Sequence, residues 1–175
     1  MRVVIAGGGT GGHLFPGIAI AEEFLKRDSD TQVIFIGTEK GIENRLLGQL
    51  GYELRKIEIE GVKGRGIKAL MKGVYQIPKS LWQSRRILKP FHPDVVVGVG
   101  GYASGPAVLA AYWMGIPTAV AEQNAIPGVT NRILGHFAEK IFVTYEQSRT
   151  FFPRIKVVYS GNPVRASLTS GSARA

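Results

Sequence analysis

The first residues that could do chemistry form a glycine-rich segment with a histidine, GGGTGGHLFPG (residues 7–17), which follows a short hydrophobic run. Glycines after a strand let backbone amides approach an anion, and a helix that begins there adds the positive end of its dipole. A cationic imidazole is disfavoured at such a terminus, so a neutral His13 could accept a proton from a hydroxyl group. The alternative is that His13 only hydrogen-bonds the loop or a ligand.

Two common nucleotide-binding motifs fit this first glycine loop (residues 7–12) only in part. The loop matches G-x-G-x-x-G, but a nicotinamide site needs an acid that closes the next strand, which ends at Gly37, with Glu39 beyond it. The loop also has the spacing of a triphosphate loop, yet His13 and Leu14 stand where Lys and Ser/Thr are required. Two interpretations of the first glycine loop remain: it binds another phosphorylated ligand, or it forms a tight turn and binds no ligand.

A second glycine loop, GVGGYASGP (residues 98–106), again follows an apolar run and precedes a helical segment. Two such loops in one domain favour backbone amides gathered around one pyrophosphate or sugar phosphate. Ser104 is explained equally well as a cap of the helix near Pro106. The candidate phosphate or acceptor residues in the two loops are Gly8, Gly9, Gly100, Gly101, Tyr102 and Ser104.

Two polar clusters follow later predicted strands. Glu122, Gln123 and Asn124 occur in AEQNAIPG, where amides suit sugar hydroxyls and a carboxylate could hold or take a proton. Glu122 is therefore the rival of His13 as a base. Arg165 follows the last strand and is either a solvated arginine or a phosphate ligand.

The excess of positive charge is local. The chain has a formal net charge of +9, and residues 61–93 contain eight Lys or Arg and no Asp or Glu. Such a patch serves acidic lipids as readily as nucleic acid, but a nucleic-acid role would leave the glycine loops unexplained and no reading motif is present. The predicted membrane patch consists of Ile67, Lys68, Leu70, Met71, Lys72, Tyr75, Lys79, Trp82, Arg85 and Arg86, with Trp113 as a further candidate.

One helix carries this patch, and its apolar stripe has a competing interpretation as core. We expect Leu70, Val74, Ile77 and Leu81 to be partly core, and Tyr75, Trp82 and the lysines to be exposed. Pro78 should kink or split the helix, because it lacks an amide hydrogen.

Seven short runs rich in β-branched residues alternate with helical segments, and some runs, such as DVVVGVG, are apolar throughout. Continuous apolar strands are buried on both faces. The pattern predicts an α/β fold with a doubly wound, Rossmann-like parallel sheet. The predicted strands are 3–6, 33–37, 54–59, 95–99, 118–121, 141–145 and 157–159, and the predicted helices are 16–26, 42–50, 67–88, 106–114, 129–137 and 146–151.

Length and composition favour one domain. The 175 residues are 45% apolar, and we expect a domain over 1–165 followed by a small, polar linker or tail over 166–175. The absence of cysteine excludes disulfides and thiolate metal sites, and we expect no bound metal. The apolar run at the start is too short for an export signal, and no segment has the roughly 18–20 apolar residues of a membrane span.

Four segments in order resemble the motif set of the MurG-type glycosyltransferases: GGTGGHLFPG (8–17), GVGGYASGP (98–106), AEQNAIPGVTN (121–131) and GNPVR (161–165). The resemblance covers residue 1 to about Arg165. It implies the N-terminal half of a two-domain GT-B enzyme, whose C-terminal donor domain this chain does not include.

The resemblance also implies an activity: inverting, metal-independent transfer of N-acetylglucosamine from UDP-N-acetylglucosamine to lipid I (undecaprenyl-pyrophosphoryl-N-acetylmuramyl-pentapeptide), which gives lipid II in peptidoglycan synthesis. Thr10, Gly11, Gly12, Asn124 and Arg165 would contact the donor, and no cofactor is implied. The protein would lie on the cytoplasmic face of the bacterial membrane, and this half alone would be inactive. The alternatives are one subunit of a split lipid-linked sugar transferase and a membrane anchor that recruits a catalytic partner.

Overall fold

Strands and helices alternate along the chain in this computed structural model, which describes residues 1–39, 43–59 and 66–164, with only the backbone over 66–75. The strands are β1 (Arg2–Gly7), β2 (Gln32–Gly37), β3 (Glu53–Lys56), β4 (Val95–Gly100), β5 (Thr118–Glu122), β6 (Lys140–Val143) and β7 (Val157–Tyr159). The α-helices are α1 (Gly11–Arg27), α2 (Glu43–Gln49), α3 (Gly66–Phe91), α4 (Ser104–Trp113) and α5 (Val129–Phe137). Two 3₁₀ helices span Glu146–Phe151 and Arg154–Lys156.

The strands form one parallel sheet in the order β3-β2-β1-β4-β5-β6-β7. The chain leaves β1 towards β2 and leaves β4 in the opposite direction towards β5. Their loops therefore diverge at the carboxyl edge, which is the switch point where open α/β sheets bind ligands. The predicted fold class is confirmed.

Each face of the sheet carries its own apolar core. Val4 and Ala6 of β1 point to the face that α3, α4 and α5 cover, and Val3 and Ile5 point to the face of α1. Because alternate residues of a strand face opposite sides, a central strand buried on both faces must be apolar throughout. This burial explains why the apolar runs located the strands.

Three predicted helices differ in the structure, and the strand predicted over 54–59 is shorter and spans Glu53–Lys56. Helix α1 begins at Gly11, so Pro16 lies in its second turn rather than at its start. The predicted helix over 146–151 is a 3₁₀ helix. Helix α3 continues through Pro78 as one element and is not split.

The apolar stripe of α3 also needs correction. We expect Ile77 to be partly core from the sequence, but it is 43% exposed, whereas Leu81 packs against the core as predicted. The buried positions include Ser80 and Ser84, whose hydroxyls donate to the carbonyls of Ile77 and Ser80. Helix α3 packs against α4, and Leu88, also buried, belongs to the core cluster on this face of the sheet.

The described residues contain no helix with the length and hydropathy that crossing a bilayer requires. Within the same residues, no three His, Asp or Glu side chains are grouped so that they could hold a metal ion.

Candidate functional site

The two glycine loops meet at the switch point between β1 and β4. The amide of Gly8 donates to the carbonyl oxygen of Gly100 at 3.3 Å. A Cβ on Gly101 would collide with the Gly8 carbonyl oxygen, and Gly100 and Gly101 have φ angles of +98° and +82°, which favour glycine. The contact brings the ends of two strands together, as the sequence predicted.

His13 lies in the first turn of α1, against the second glycine loop. A Cβ on Gly100 would stand 2.6 Å from His13 Nδ1, so only glycine leaves room for the imidazole. Nδ1 is buried and has no hydrogen-bond partner among the described residues. The nitrogen open to a ligand is therefore Nε2.

The helices at this edge begin without side-chain caps. No side chain caps α1 at Thr10, α4 at Ala103 or α5 at Gly128. The first amides of a helix have no partner within it. The site therefore offers unsatisfied donors and the positive ends of three helix dipoles, an arrangement that favours an anion.

Not every amide of the first glycine loop is free. Gly8 donates to Gly100, and Gly9 donates to the carboxylate of Glu43 at 2.9 Å. The amides that remain for an anion are those of Thr10, Gly11 and Gly12. Gly8 and Gly9 were predicted to bind phosphate or the acceptor, but their amides donate to protein groups and so shape the loop.

Ser104 does not cap a helix, which corrects one of its two predicted roles. It is fully buried as the first residue of α4, and its hydroxyl donates to the carbonyl of Gly101 at 2.8 Å. The side chain therefore holds the turn of the second glycine loop. Tyr102, in the same loop, is exposed.

Glu122 organises the loop that follows β5. Its carboxylate is 1% exposed and accepts hydrogen bonds from the backbone amide of Asn124 at 2.8 Å, from Asn124 Nδ2 at 2.8 Å, from the Gly128 amide at 3.2 Å and from Asn131 Nδ2 at 2.9 Å. Four donors occupy both oxygens. This geometry fixes the loop and holds the exposed Asn124 beside the strand ends.

Gln123 lies next to this network with a different surrounding. Its Nε2 donates to the Ala121 carbonyl at 3.0 Å, while its Oε1 is buried without a partner among the described residues. Gln123 lines a cavity of about 410 Å³ together with Glu122, Thr144 and Gly161. The unpaired oxygen is enclosed by protein atoms, as His13 Nδ1 is.

Glu43, at the start of α2, belongs to the site although sequence reasoning missed it. Its carboxylate is 1% exposed and accepts hydrogen bonds from Gly9, from the Thr38 amide at 3.0 Å and from the Thr38 hydroxyl at 3.1 Å. Thirty-four residues separate Glu43 from Gly9, so no local motif indicates the pair. The first acid after β2 in the sequence is Glu39, which is exposed and pairs with Lys56.

The described part of the membrane patch is exposed. Lys79, Trp82, Arg85 and Arg86 lie on the surface of α3, with Trp82 57% exposed and the Arg86 guanidinium 4.7 Å from its ring centroid. The exposed Trp113 ends α4. The side chains of Ile67, Lys68, Leu70, Met71, Lys72, Val74 and Tyr75 lie outside the description, as does Arg165 altogether.

An exposed cluster links the segment that follows β3 to α3 beside this patch. Glu58 accepts hydrogen bonds from Lys79 at 2.6 Å and from Gln83 at 3.0 Å, and these bonds lower the pKa of Glu58 below its usual value. Arg55, Lys56, Trp82 and Arg86 line a neighbouring cavity of about 470 Å³. On this surface Arg55, Lys56 and Lys79 each pair with an acid, whereas the Arg86 guanidinium lies over the Trp82 ring.

Comparisons with known proteins agree with the resemblance of the motifs. The family model of the glycosyltransferase family 28 N-terminal domain matches residues 3–143. The UDP-N-acetylglucosamine--N-acetylmuramyl-(pentapeptide) pyrophosphoryl-undecaprenol N-acetylglucosamine transferase of Syntrophus aciditrophicus is 54% identical over 98% of this chain and 47% of its own length. The enzyme of the same name from Myxococcus xanthus is 54% identical over 96% of this chain and 44% of its own length.

Solved structures extend the comparison to the fold. The crystal structure of Acinetobacter baumannii MurG superposes with a TM-score of 0.77 at 32% identity, over 96% of this chain and 47% of that one. A UDP-GlcNAc 2-epimerase from Methanocaldococcus jannaschii, at 19% identity and a TM-score of 0.67 over 93% of this chain and 46% of that one, shares the fold. The chain spans about half the length of the curated relatives it matches. It belongs to glycosyltransferase family 28, as a homologue of MurG that corresponds to the N-terminal half of such proteins.

Proposed function

We propose that this chain is the acceptor-binding and membrane-facing half of an enzyme that transfers N-acetylglucosamine from UDP-N-acetylglucosamine to lipid I and so forms lipid II. The observation that carries the proposal is the meeting of the two glycine loops around His13 at the uncapped start of α1. The printed names of the relatives identify the substrates of those enzymes and support the same substrates here.

The reaction is a direct displacement at the anomeric carbon of the donor sugar. The acceptor's 4-hydroxyl oxygen forms the new bond to that carbon, the bond from the carbon to the phosphate oxygen breaks, and UDP leaves with the electron pair. His13 Nε2 takes the hydroxyl proton. Thr10, Gly11 and Gly12 present their amides to phosphate oxygens, where they stabilise the negative charge. No metal ion is required in this mechanism.

Between the two predicted bases, the geometry favours His13. Four hydrogen bonds already engage the carboxylate of Glu122, so accepting a substrate proton would disrupt the loop around it. The ring of His13 has an open nitrogen and is half-buried at the meeting point of the loops. Glu122 then supports Asn124, which contacts the donor together with Arg165.

The basic surface of α3 suits attachment of the protein to an anionic membrane. Lipid I is held in the membrane, so the enzyme must hold its cleft at the surface of the cytoplasmic leaflet. Lys and Arg near an anionic membrane each contribute about 1 kcal/mol of attraction, and exposed aromatic residues such as Trp82 insert at the interface. We therefore infer peripheral binding through the membrane patch.

The domain arrangement follows from the same proposal. Residues 1–165 form the acceptor domain, residues 166–175 belong to a linker, and a second domain supplies most of the UDP-N-acetylglucosamine site. The 175-residue chain would then be inactive on its own, because half of the cleft is missing.

Transfer of labelled N-acetylglucosamine from UDP-N-acetylglucosamine to lipid I in detergent tests the proposal. The intact gene product should form lipid II, and the 175-residue chain should not. Incubation with a soluble acceptor that lacks the polyprenyl chain separates chemistry from membrane binding. Failure of the intact product with either acceptor, or robust turnover by the 175-residue chain, would contradict the assignment.

A further inference from the structure

Glu43 holds a buried negative charge directly behind a loop that is otherwise built for anions. It lies in the first turn of α2, and one of its oxygens accepts the Gly9 amide at 2.9 Å while the other accepts both donors of Thr38. An unpaired buried carboxylate is costly, and these bonds compensate for its desolvation. The carboxylate thus links the end of β2 to the first glycine loop.

The same carboxylate explains why two neighbouring positions are glycine. A Cβ on Gly8 would stand 2.7 Å from Glu43 Cδ, and a Cβ on Gly37 would stand 2.9 Å from its Cγ. Both glycines leave room for the Glu43 side chain. By contrast, nothing approaches a Cβ placed on Gly9, and only Thr10 Oγ1, at 3.8 Å, approaches one on Gly12. The open side of the loop is therefore the side away from Glu43.

The charge of Glu43 also decides where on the loop an anion can bind. The Gly9 amide already donates to the Glu43 carboxylate, and the negative charge of that carboxylate repels phosphate from the Gly8–Gly9 end of the loop. The amides of Thr10, Gly11 and Gly12 point along the start of α1, where the helix dipole attracts phosphate. The two effects act in the same direction.

We propose that Glu43 is a positioning residue, which clamps Gly9 so that a pyrophosphate-bearing substrate is bound only by the amides from Thr10 to Gly12. It touches no substrate and acts through the backbone of the loop. This inference rests on the proposed function only in taking the first glycine loop as a phosphate site.

The test is a titration of the full 175-residue chain with inorganic pyrophosphate at constant ionic strength, followed by the amide signals of Thr10, Gly11 and Gly12 in NMR spectra. Hydrogen exchange of the Gly9 amide reports the clamp. In the Glu43→Gln variant we expect the Gly9 amide to exchange at least about tenfold faster, the usual effect of losing a charge-assisted hydrogen bond. Because the repelling charge is also gone, pyrophosphate should now shift the Gly9 amide signal as well, and its Kd should fall by about threefold or more, whereas in the unmodified chain only the amides of Thr10 to Gly12 should shift.

Two variants serve as controls. Glu23→Gln removes one negative charge from an exposed position on α1, so it matches the change in net charge. Thr38→Val removes one bond to Glu43 but leaves the Gly9 bond, so it matches a loss of stability. Both should keep the Kd within about twofold and leave Gly9 protected, provided that all variants are compared well below their melting temperatures.

Two results would contradict the positioning role of Glu43. If Glu43→Gln frees Gly9 but pyrophosphate still shifts only the amides of Thr10 to Gly12, Glu43 is only a structural residue and the proposal is wrong. If pyrophosphate shifts no amide from Thr10 to Gly12 in the unmodified chain, the loop needs no positioning for phosphate and the proposal also fails. The transfer assay decides the enzymatic function independently of both results.

Discussion

Individual glycines in the two loops are glycine for different reasons. Gly8, Gly100 and Gly101 are crowded by protein atoms, so the fold itself requires them. Gly9 and Gly12 are open, and only Gly9 of these two has a positive φ angle. If Gly12 is needed, a ligand rather than the fold explains it.

Gly12→Ala should therefore separate stability from function. Alanine is a better helix residue than glycine, so the free energy of unfolding should stay level or rise by up to about 1 kcal/mol. Pyrophosphate binding by the chain and transfer by the intact gene product should each fall by about tenfold or more, because the methyl group occupies the side from which the anion approaches. Urea unfolding and the titration described above measure the two effects.

Gly48→Ala is the matched control, since Gly48 lies inside α2 with open space around it and away from the loops. It should change stability in the same direction and leave binding unchanged. Unaltered pyrophosphate binding in Gly12→Ala would show that no ligand approaches this face of the loop.

His13→Ala tests the proton acceptor. Loss of a general base lowers kcat by about 10²- to 10⁴-fold, whereas the KM for UDP-N-acetylglucosamine should change little because the backbone amides remain. His136→Ala, which alters an exposed histidine near the end of α5, should leave both constants unchanged. A kcat within threefold of that of the unmodified enzyme would show that His13 is not the proton acceptor and only packs against Gly100.

At the scale of elements, sequence reasoning located the four central strands, β1, β2, β4 and β5, because a parallel strand buried on both faces must be an apolar run. The three remaining strands are partly exposed, and their β-branched and aromatic residues indicated them instead. Sequence reasoning also placed both glycine loops at the carboxyl edge, which follows from topology. It could not find Glu43, since the contact with Gly9 depends on how α2 packs. It misjudged Ile77, because Ser80 and Ser84, whose hydroxyls bond to carbonyls of their own helix, are buried while the larger residue is exposed.

The corrected face of α3 makes Ile77→Ser a discriminating substitution. Because Ile77 is 43% exposed, the change should alter the free energy of unfolding by no more than about 0.5 kcal/mol, and it should weaken binding to phosphatidylglycerol vesicles. Leu88→Ala, at a fully buried position on the same helix, should cost about 2–5 kcal/mol. If Ile77→Ser destabilises the chain as much as Leu88→Ala does, Ile77 is a core residue after all.

The link between β3 and α3 should depend on pH. Hydrogen bonds from Lys79 and then Gln83 lower the pKa of the Glu58 carboxyl, so the folded state favours the charged form. The stabilisation is complete above the pKa of the unfolded chain and is lost as the pH falls through the lower pKa of the folded state. The melting temperature should therefore fall less between about pH 5 and pH 3 in Glu58→Gln than in the unmodified chain. Identical pH profiles would show that the bonds to Lys79 and Gln83 contribute nothing to stability.

For the whole molecule, the distribution of charge matters more than its sum. The net charge of +9 comes almost entirely from residues 61–93, and the described part of that segment lies on the face of the sheet opposite α1. Such a one-sided molecule should bind an anionic surface in one orientation. Under the proposed function, this orientation would hold the carboxyl edge of the sheet at a constant height above the membrane.

This orientation predicts that the position of a charge change decides its effect. Reversing Arg85 and Arg86 together to glutamate should weaken binding to vesicles of phosphatidylglycerol by about tenfold or more, since each basic residue near the membrane contributes about 1 kcal/mol. Reversing Lys26 and Arg27, which are exposed at the end of α1 on the other face, changes the net charge equally and should have a small effect. Cosedimentation at increasing salt measures both, and binding should decline as the Debye length shortens from about 10 Å towards 3 Å. Equal losses from the two reversals would mean that only net charge matters, and equal affinity for duplex DNA at the same salt would mean that the basic segment does not select a membrane.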